Sequence, residues 1–231
     1  MSGQNMAPAD PRFAVIVPMK NEADNILQLA DEIDVACTPI GPFEAIFVDD
    51  GSDDGTPAAL TPLCARYAWL RSIRHVRSCG QSAAVATGIR AARAPLICTI
   101  DGDGQNPPAE IPNLLRPLLS PDRPERLGLV CGVRVQRADT SYKRLGSRIA
   151  NAVRRRMLGD GSPDTGCGLK AFPREAFLAL PYFDHMHRYL PSLFLRDGWL
   201  VTHVPVSDRR RQAGVSRSEE HTSELQSLLI I

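Results

Sequence analysis

The sequence lacks any run approaching the ~18 apolar residues that a membrane-spanning helix needs. Its first ten residues hold no apolar stretch and no basic residue, so they do not read as a secretory signal peptide. Cysteine is scarce, with six residues at 37, 64, 79, 98, 131 and 167. None forms a CxxC pair and the spacing is irregular, which excludes a disulfide ladder and suits reduced thiols in a cytosolic protein. A net charge of +1 argues against a generic nucleic-acid binder. With 17 Gly and 19 Pro the chain is neither collagen-like nor of low complexity. There is no GxGxxG after the first apolar run, where PMKNE stands at 18–22, and no GxxxxGK[ST]. GxSxG and HExxH are missing too, so a serine hydrolase or zinc protease has no support. What remains is 231 residues, 43% hydrophobic and 23% charged, a globular composition for one large domain with at most a short appendage.

Short all-apolar runs stand at 13–17, 45–48 and 96–100, as strands buried on both faces do. Further strands are expected at 71–76, 127–133 and 199–206. Between them, apolar residues at 26, 29, 30 and 33 predict a helix over 22–35 with Asn21 as N-cap. Helices are also expected at 57–68, 82–92 and 109–119, the last introduced by Pro107 and Pro108. A basic helix at 142–158 and a Gly-rich turn at 159–168 precede another apolar stretch. This alternation predicts a parallel α/β sheet. Cys98, Cys131 and Trp199 read as core residues.

Two of the apolar runs end in acidic, Gly-rich loops, DDGSDDG at 49–55 and DGDG at 101–104. Open α/β sheets bind ligands beyond the carboxyl ends of their strands, where strand order reverses, and both loops fall there. Asp101 and Asp103 sit one residue apart, with the Gln105 amide oxygen two further on. A small hard cation already carrying phosphate oxygens can use these three. Gly102 lets the backbone approach a ligand. An isolated DxD is commonly a solvated turn, so the triplet alone carries little. Neither loop fits an EF-hand: the EF-hand-like start at Asp50 has Thr61 at its twelfth position instead of Glu, and a loop counted from Asp101 has Pro112 there.

Four segments in order, VPMKNE at 17–22, FVDDGSDDGT at 47–56, GQSAA at 80–84 and IDGDGQNPP at 100–108, resemble glycosyltransferase family 2. The last resembles the DxDxQxPPE stretch of the polyprenyl-phosphate branch, that of dolichol-phosphate mannosyltransferase-like and undecaprenyl-phosphate sugar transferase-like proteins. VCGVR at 130–134 resembles the VxGxR segment of the family. Arg144, Ser147 and Asn151 resemble its RxxxSxxxN helix, and 164–172 its DxxxGx(K/R)xF segment. The resemblance covers residues 12–216.

It implies a GT-A (nucleotide-diphospho-sugar transferase) fold, a Rossmann-like, mostly parallel sheet flanked by helices. It implies an inverting, metal-assisted transfer of a hexose from a nucleotide-diphosphate sugar to a polyprenyl phosphate. A sugar-hydroxyl acceptor, or a nucleotide- or metal-binding domain without turnover, are the alternatives. Pro18, Asn21, Glu22, Asp49, Asp50, Asp101, Gly102 and Asp103 would bind the nucleotide sugar. Asp101, Asp103 and Gln105 would hold Mg²⁺ or Mn²⁺. Asp101, Asp103 and Arg134 would be catalytic, and Arg134, Arg144, Ser147 and Ser216 would meet the acceptor phosphate. Met19 and Lys20 depart from the family pattern, as does Gly104.

The segment 134–156 carries Arg134, Arg137, Lys143, Arg144, Arg148 and Arg154 to Arg156 against Asp139 alone. With Arg209 to Arg211 it suits an anionic membrane surface or a phosphate headgroup better than nucleic acid, since aromatic residues are not interleaved. Such a protein sits at the cytoplasmic face of a membrane, peripherally or through a later anchor. His185 and His187 flank Met186 at a spacing poor for a shared metal, which favours a structural role or an acceptor contact. Residues 1–11 read as a disordered lead-in. Residues 217–227, RSEEHTSELQS, resemble a translated sequencing adapter, which makes 217–231 a non-native tail. Removing its one Arg and three Glu changes the net charge from +1 to +3.

Overall fold

The computed structural model describes residues 10–135 and 163–209. The expected basic helix with Arg144 and Ser147, Arg210 and Arg211, Ser216, the tail, and most of the lead-in lie outside these residues.

Seven strands among the described residues form one sheet: β1 Phe13–Met19, β2 Phe43–Asp49, β3 Leu70–Arg74, β4 Leu96–Thr99, β5 Leu127–Arg134, β6 Lys170–Pro173 and β7 Leu200–Val206. Their order is β3-β2-β1-β4-β6-β5-β7. Helices α1 Ile26–Cys37, α2 Thr56–Arg66, α3 Gln81–Ala91, α4 Ile111–Leu119, α5 Arg174–Leu178 and α6 Leu190–Arg196 flank it. The first apolar run becomes the fully buried β1. Its alternate side chains serve two layers, as strand geometry requires. Val15 and Val17 pack in the layer with Leu29 of α1, Leu60 of α2 and Leu114 of α4. Ala14 and Ile16 join Ile89 of α3, Phe177 of α5 and Phe194 of α6. Cys98 and Cys131 are buried as expected, and Trp199 packs half-buried against the second layer. No described helix is long and apolar enough to cross a membrane.

β1 pairs in parallel with both β2 and β4, and β2 with β3. The chain moves outward through β2 and β3, then returns through α3 to β4 on the other side of β1. The carboxyl ends of β1, β2 and β4 therefore meet at the reversal point, where both acidic loops begin.

The expectation of a parallel sheet fails at β6, which runs antiparallel to β4 and β5. An apolar run encodes burial but not direction, and the 163–169 turn feeds this strand in backwards. The expected cap also moves. Asn21 has φ 56°, residues 22–25 form a turn, and α1 begins at Ile26 with Asn25 in the cap position.

One buried carboxylate ties the connection between α3 and β4 to the sheet. Glu44 of β2, 1% exposed, accepts the backbone N–H groups of Arg93 (2.6 Å) and Ala94 (3.0 Å) and pairs with Arg71 at 2.7 Å. Burial alone would raise its pKa, but the Arg93 N–H, Arg71 and the Ala94 N–H outweigh that and lower it. A carboxylate with a depressed pKa stabilises the fold above its ordinary value of 4.5, and that contribution is lost as pH falls below it. Glu44→Gln is expected to cost about 1–3 kcal/mol at pH 7 in urea unfolding, and the gap from the native chain to shrink below pH ~4. An equal gap at both pH values would contradict this account.

Candidate active site

At the end of β1, the loop 20–25 is laced to the loop after β2. Asn21 donates from Nδ2 to Asp53 Oδ1 at 2.7 Å, and Asp53 N–H returns a bond to Asn21 Oδ1 at 3.1 Å. The N–H of Asn21 donates to Ser52 Oγ, and that of Glu22 to Thr56 Oγ1, both at 2.9 Å. Glu22 is buried and accepts from Asn25 Nδ2. The left-handed turn at Asn21 is what lets these two loops close on one another.

Asp49 and Asp50 end β2 facing inward, 1% and 2% exposed. Asp49 accepts the Ser52 N–H and pairs with Arg74 at 3.3 Å. Asp50 accepts from the Cys79 and Gly80 N–H groups and the Ser78 hydroxyl, and meets His75 Nδ1 at 2.8 Å. These partners outweigh the effect of burial and lower its pKa. Asp50 thus organises the 75–80 loop. Asp50, His75 and Cys79 also bring ligand-type atoms within 4.8 Å of one another, the one such grouping of three among the described residues. Its members are already hydrogen-bonded: His75 Nε2 meets Thr87 Oγ1 at 3.0 Å. His75 was not singled out from the sequence, because nothing local marks it as a partner of a residue 25 positions earlier.

Asp101 follows the end of β4 by two residues. Its Oδ1 accepts from Gln81 Nε2 at 2.7 Å. Two glycines give it room. A side chain on Gly168 would stand 2.2 Å from Asp101 Oδ2, and one on Gly102 would stand 2.9 Å from Met19 Cβ. Burial first, then the neighbouring Asp103, push its pKa up to about 6, despite Lys170, Arg134 and Gln81. Asp103 accepts the Gln105 N–H at 3.0 Å, closing the loop. Two adjacent carboxylates, one of them held in a costly charged state, are the hard-oxygen donor set that a small divalent cation satisfies. The residues present fit Mg²⁺ or Mn²⁺.

Beside Asp101 opens a cavity of about 260 Å³, lined among others by Pro18, Gln81, Gly168, Lys170 and His187. Lys170, 4% exposed, donates to the carbonyls of Cys167 and Thr165. Thr99 Oγ1 donates to the Gly168 carbonyl at 2.7 Å and pins the turn beneath β4. Arg134, at the end of β5, forks onto Asp164 with Nε–Oδ2 2.8 Å and Nη2–Oδ1 3.0 Å, and lies 3.9 Å from Asp208. The structure therefore gathers Pro18, Asp101, Gly102, Asp103 and Arg134 at one strand end, with Asn21, Glu22, Asp49 and Asp50 in the adjoining loops. Gln81, Lys170 and Asp164 were given no role from sequence, and His187 only a structural one or an acceptor contact. The first three lie inside the family-like segments, and that was their only signal.

Arg209 corrects an expectation. It is not part of a free basic face. It forks onto Glu32 at 2.8 and 3.0 Å, its Nε donates to the Gly104 carbonyl, and its N–H donates to the Gln105 carbonyl. It clamps the Asp101–Gln105 loop against α1. The rings of His185 and His187 lie with their centroids 6.3 Å apart. His185 adopts φ 64° before a 3-10 turn at Met186–Arg188.

This architecture is the GT-A fold. The chain overlays a mannosyltransferase from Pyrobaculum calidifontis in complex with GDP-Man and Mn²⁺ at TM-score 0.68 and 23% identity, covering 97% of this chain and 64% of that one. It overlays glucosyl-3-phosphoglycerate synthase from Mycobacterium tuberculosis, in complex with Mn²⁺, UDP and glucosyl-3-phosphoglycerate, at 0.66 and 21%, covering 94% and 77%. The chain belongs to glycosyl transferase family 2, whose model matches residues 14–180. Undecaprenyl-phosphate 4-deoxy-4-formamido-L-arabinose transferase from Klebsiella pneumoniae subsp. pneumoniae is 29% identical over 212 residues, covering 91% of this chain and 63% of that protein. The protein of that name from Pectobacterium carotovorum subsp. carotovorum is 30% identical over 206 residues, covering 88% and 62%. The chain thus spans about 63% of the length of these relatives.

A carboxylate whose pKa is raised by folding favours the fold as pH falls, and its charged form weakens the fold above pH 6. Asp101→Asn is therefore expected to raise the thermal midpoint of the metal-free chain at pH 7.5 by a few degrees. That gain should shrink as pH falls from 6 to about 4. Mn²⁺ should raise the native midpoint at pH 7.5 and leave the Asn variant unmoved. A metal-free variant less stable than the native chain at pH 7.5 would refute the assignment.

Proposed function

We propose that residues 12–216 form the catalytic domain of an enzyme that moves a hexose from a nucleotide-diphosphate sugar to a polyprenyl phosphate, with inversion at the anomeric carbon. The observation that carries this reading is the Asp101–Asp103 pair at the reversal point of the sheet, beside a cavity of about 260 Å³. Family membership and the names of the relatives support it.

The nucleotide would lie over the ends of β1 and β2. Pro18, Asn21, Glu22 and Asp49 border that side, and Asp50 acts there by shaping the 75–80 loop. Asp101 and Asp103, with the Gln105 amide oxygen, would hold Mg²⁺ or Mn²⁺. Bound there, the cation supplies positive charge to the diphosphate that leaves when the anomeric C–O bond breaks. Arg134, kept aligned by Asp164, adds a fixed guanidinium for a phosphate, already oriented before reaction. A lipid phosphate is largely ionised at neutral pH because its second pKa is about 6, so it attacks without a dedicated general base. Arg144, Ser147 and Ser216 are assigned to that phosphate by resemblance. A lipid acceptor and a cytoplasmic donor place the reaction at the cytoplasmic face of a membrane, with no role for nucleic acid.

The test is transfer from UDP- and GDP-sugars to a short-chain polyprenyl phosphate, with Mn²⁺ or with a chelator. Chelation and Asp103→Ala are each expected to lower transfer by about a hundredfold or more. Unchanged turnover in Asp103→Ala would end the metal-assisted mechanism. Faster transfer to sugar hydroxyls than to lipid phosphate would move the chain to a glycan-forming role.

A further inference from the structure

Ser82, in the first turn of α3, is 4% exposed and reaches across 105 residues to His187. Its Oγ lies 2.7 Å from His187 Nδ1 and accepts the His187 backbone N–H at 3.4 Å. A hydroxyl has one hydrogen to give. A hydroxyl that gives this hydrogen to Nδ1 makes Nδ1 the acceptor and leaves the ring proton on Nε2. No hydrogen bond to Nε2 is formed among the described residues, and the ring lines the cavity that also holds Asp101 and Lys170. Burial, then Lys170, Arg188 and His185, hold the imidazole neutral down to about pH 3.

We propose that His187, fixed in this tautomer by Ser82, donates a hydrogen bond from Nε2 to a hydroxyl of the hexose on the nucleotide-sugar donor and so helps select that sugar. The inference rests on the donor-site reading above and deepens it. A neutral N–H matches an uncharged hydroxyl, whereas phosphates are met by cations such as Arg134 and Lys170. The cavity of about 260 Å³ lies below the usual ~300–1,000 Å³ of ligand sites, so it suits one sugar ring rather than a whole nucleotide sugar.

Two substitutions separate this role from a structural one. Asn carries its amide near the position of Nδ1 and leaves that of Nε2 empty, whereas Gln reaches the position of Nε2. The test is calorimetry on the full chain with Mn²⁺, using UDP and GDP against a panel of UDP- and GDP-sugars. The quantity read is the gain in affinity of nucleotide sugar over bare nucleotide. His187→Asn is expected to lose about tenfold of that gain with nucleotide affinity unchanged. His187→Gln should keep most of it, and Ser82→Ala should lose part. An undiminished gain in His187→Asn overturns the proposal. So does an equal loss for bare nucleotide, or an effect confined to the KM of polyprenyl phosphate. A native chain that binds no nucleotide sugar overturns the donor-site reading itself, and this inference with it.

Discussion

The carboxylate of Asp101 is taken out of water at the end of β4, and its neighbours are arranged to tolerate that. Space comes from Gly168, where any side chain would collide with it. Partial compensation comes from Gln81 on α3 and from the charge of Lys170. Lys170 arrives on β6 and Gly168 in the turn just before it, and they reach this spot because β6 runs against β4. The first residue of an antiparallel strand lies beside the last of its partner, so Lys170 pairs with Thr99, two residues before Asp101. The one departure from a parallel sheet on this side of β1 is thus what completes the floor of the site.

Asp50 shows the opposite treatment of a carboxylate on the same rim. It too is buried, but two backbone N–H groups, a hydroxyl and an imidazole converge on it, and its pKa falls. Hydrogen bonding to the charged form outweighs desolvation at Asp50, while desolvation and a like charge win at Asp101. The first arrangement is complete in itself and shapes a loop. The second stays costly until positive charge is added.

Much of this was legible in the sequence because the signals are local. Six of the seven described strands were expected from the sequence, three of them from short apolar runs, and carboxylates after two of those runs marked the site. The remainder depends on long-range partners. Asn21 resembles a helix cap, yet its pairing with Asp53 holds it in a left-handed turn. Arg209 belongs to a run of three arginines that reads as a solvated basic face, and only the fold brings Glu32, 177 residues away, to meet it. Trp199 and the buried cysteines needed no such partner, and apolar context alone located them.

The engagement of each acidic group bears on the acceptor. A hydroxyl acceptor needs a base to take its proton. Asp101 and Asp103 suit a cation, Asp50 is filled by its loop, both oxygens of Asp164 face the Arg134 guanidinium, and Asp208 lies 3.9 Å from that same guanidinium. In the tautomer proposed for His187 the ring proton sits on Nε2, so that atom is a donor and not a base. Withdrawing Asp164 from Arg134 would free one carboxylate but leave a mostly buried guanidinium without its main partner, at a cost of several kcal/mol. Among the described residues the site is thus built to orient charge rather than to remove a proton. That balance favours an acceptor whose attacking oxygen is already ionised, as the oxygen of a lipid phosphate is.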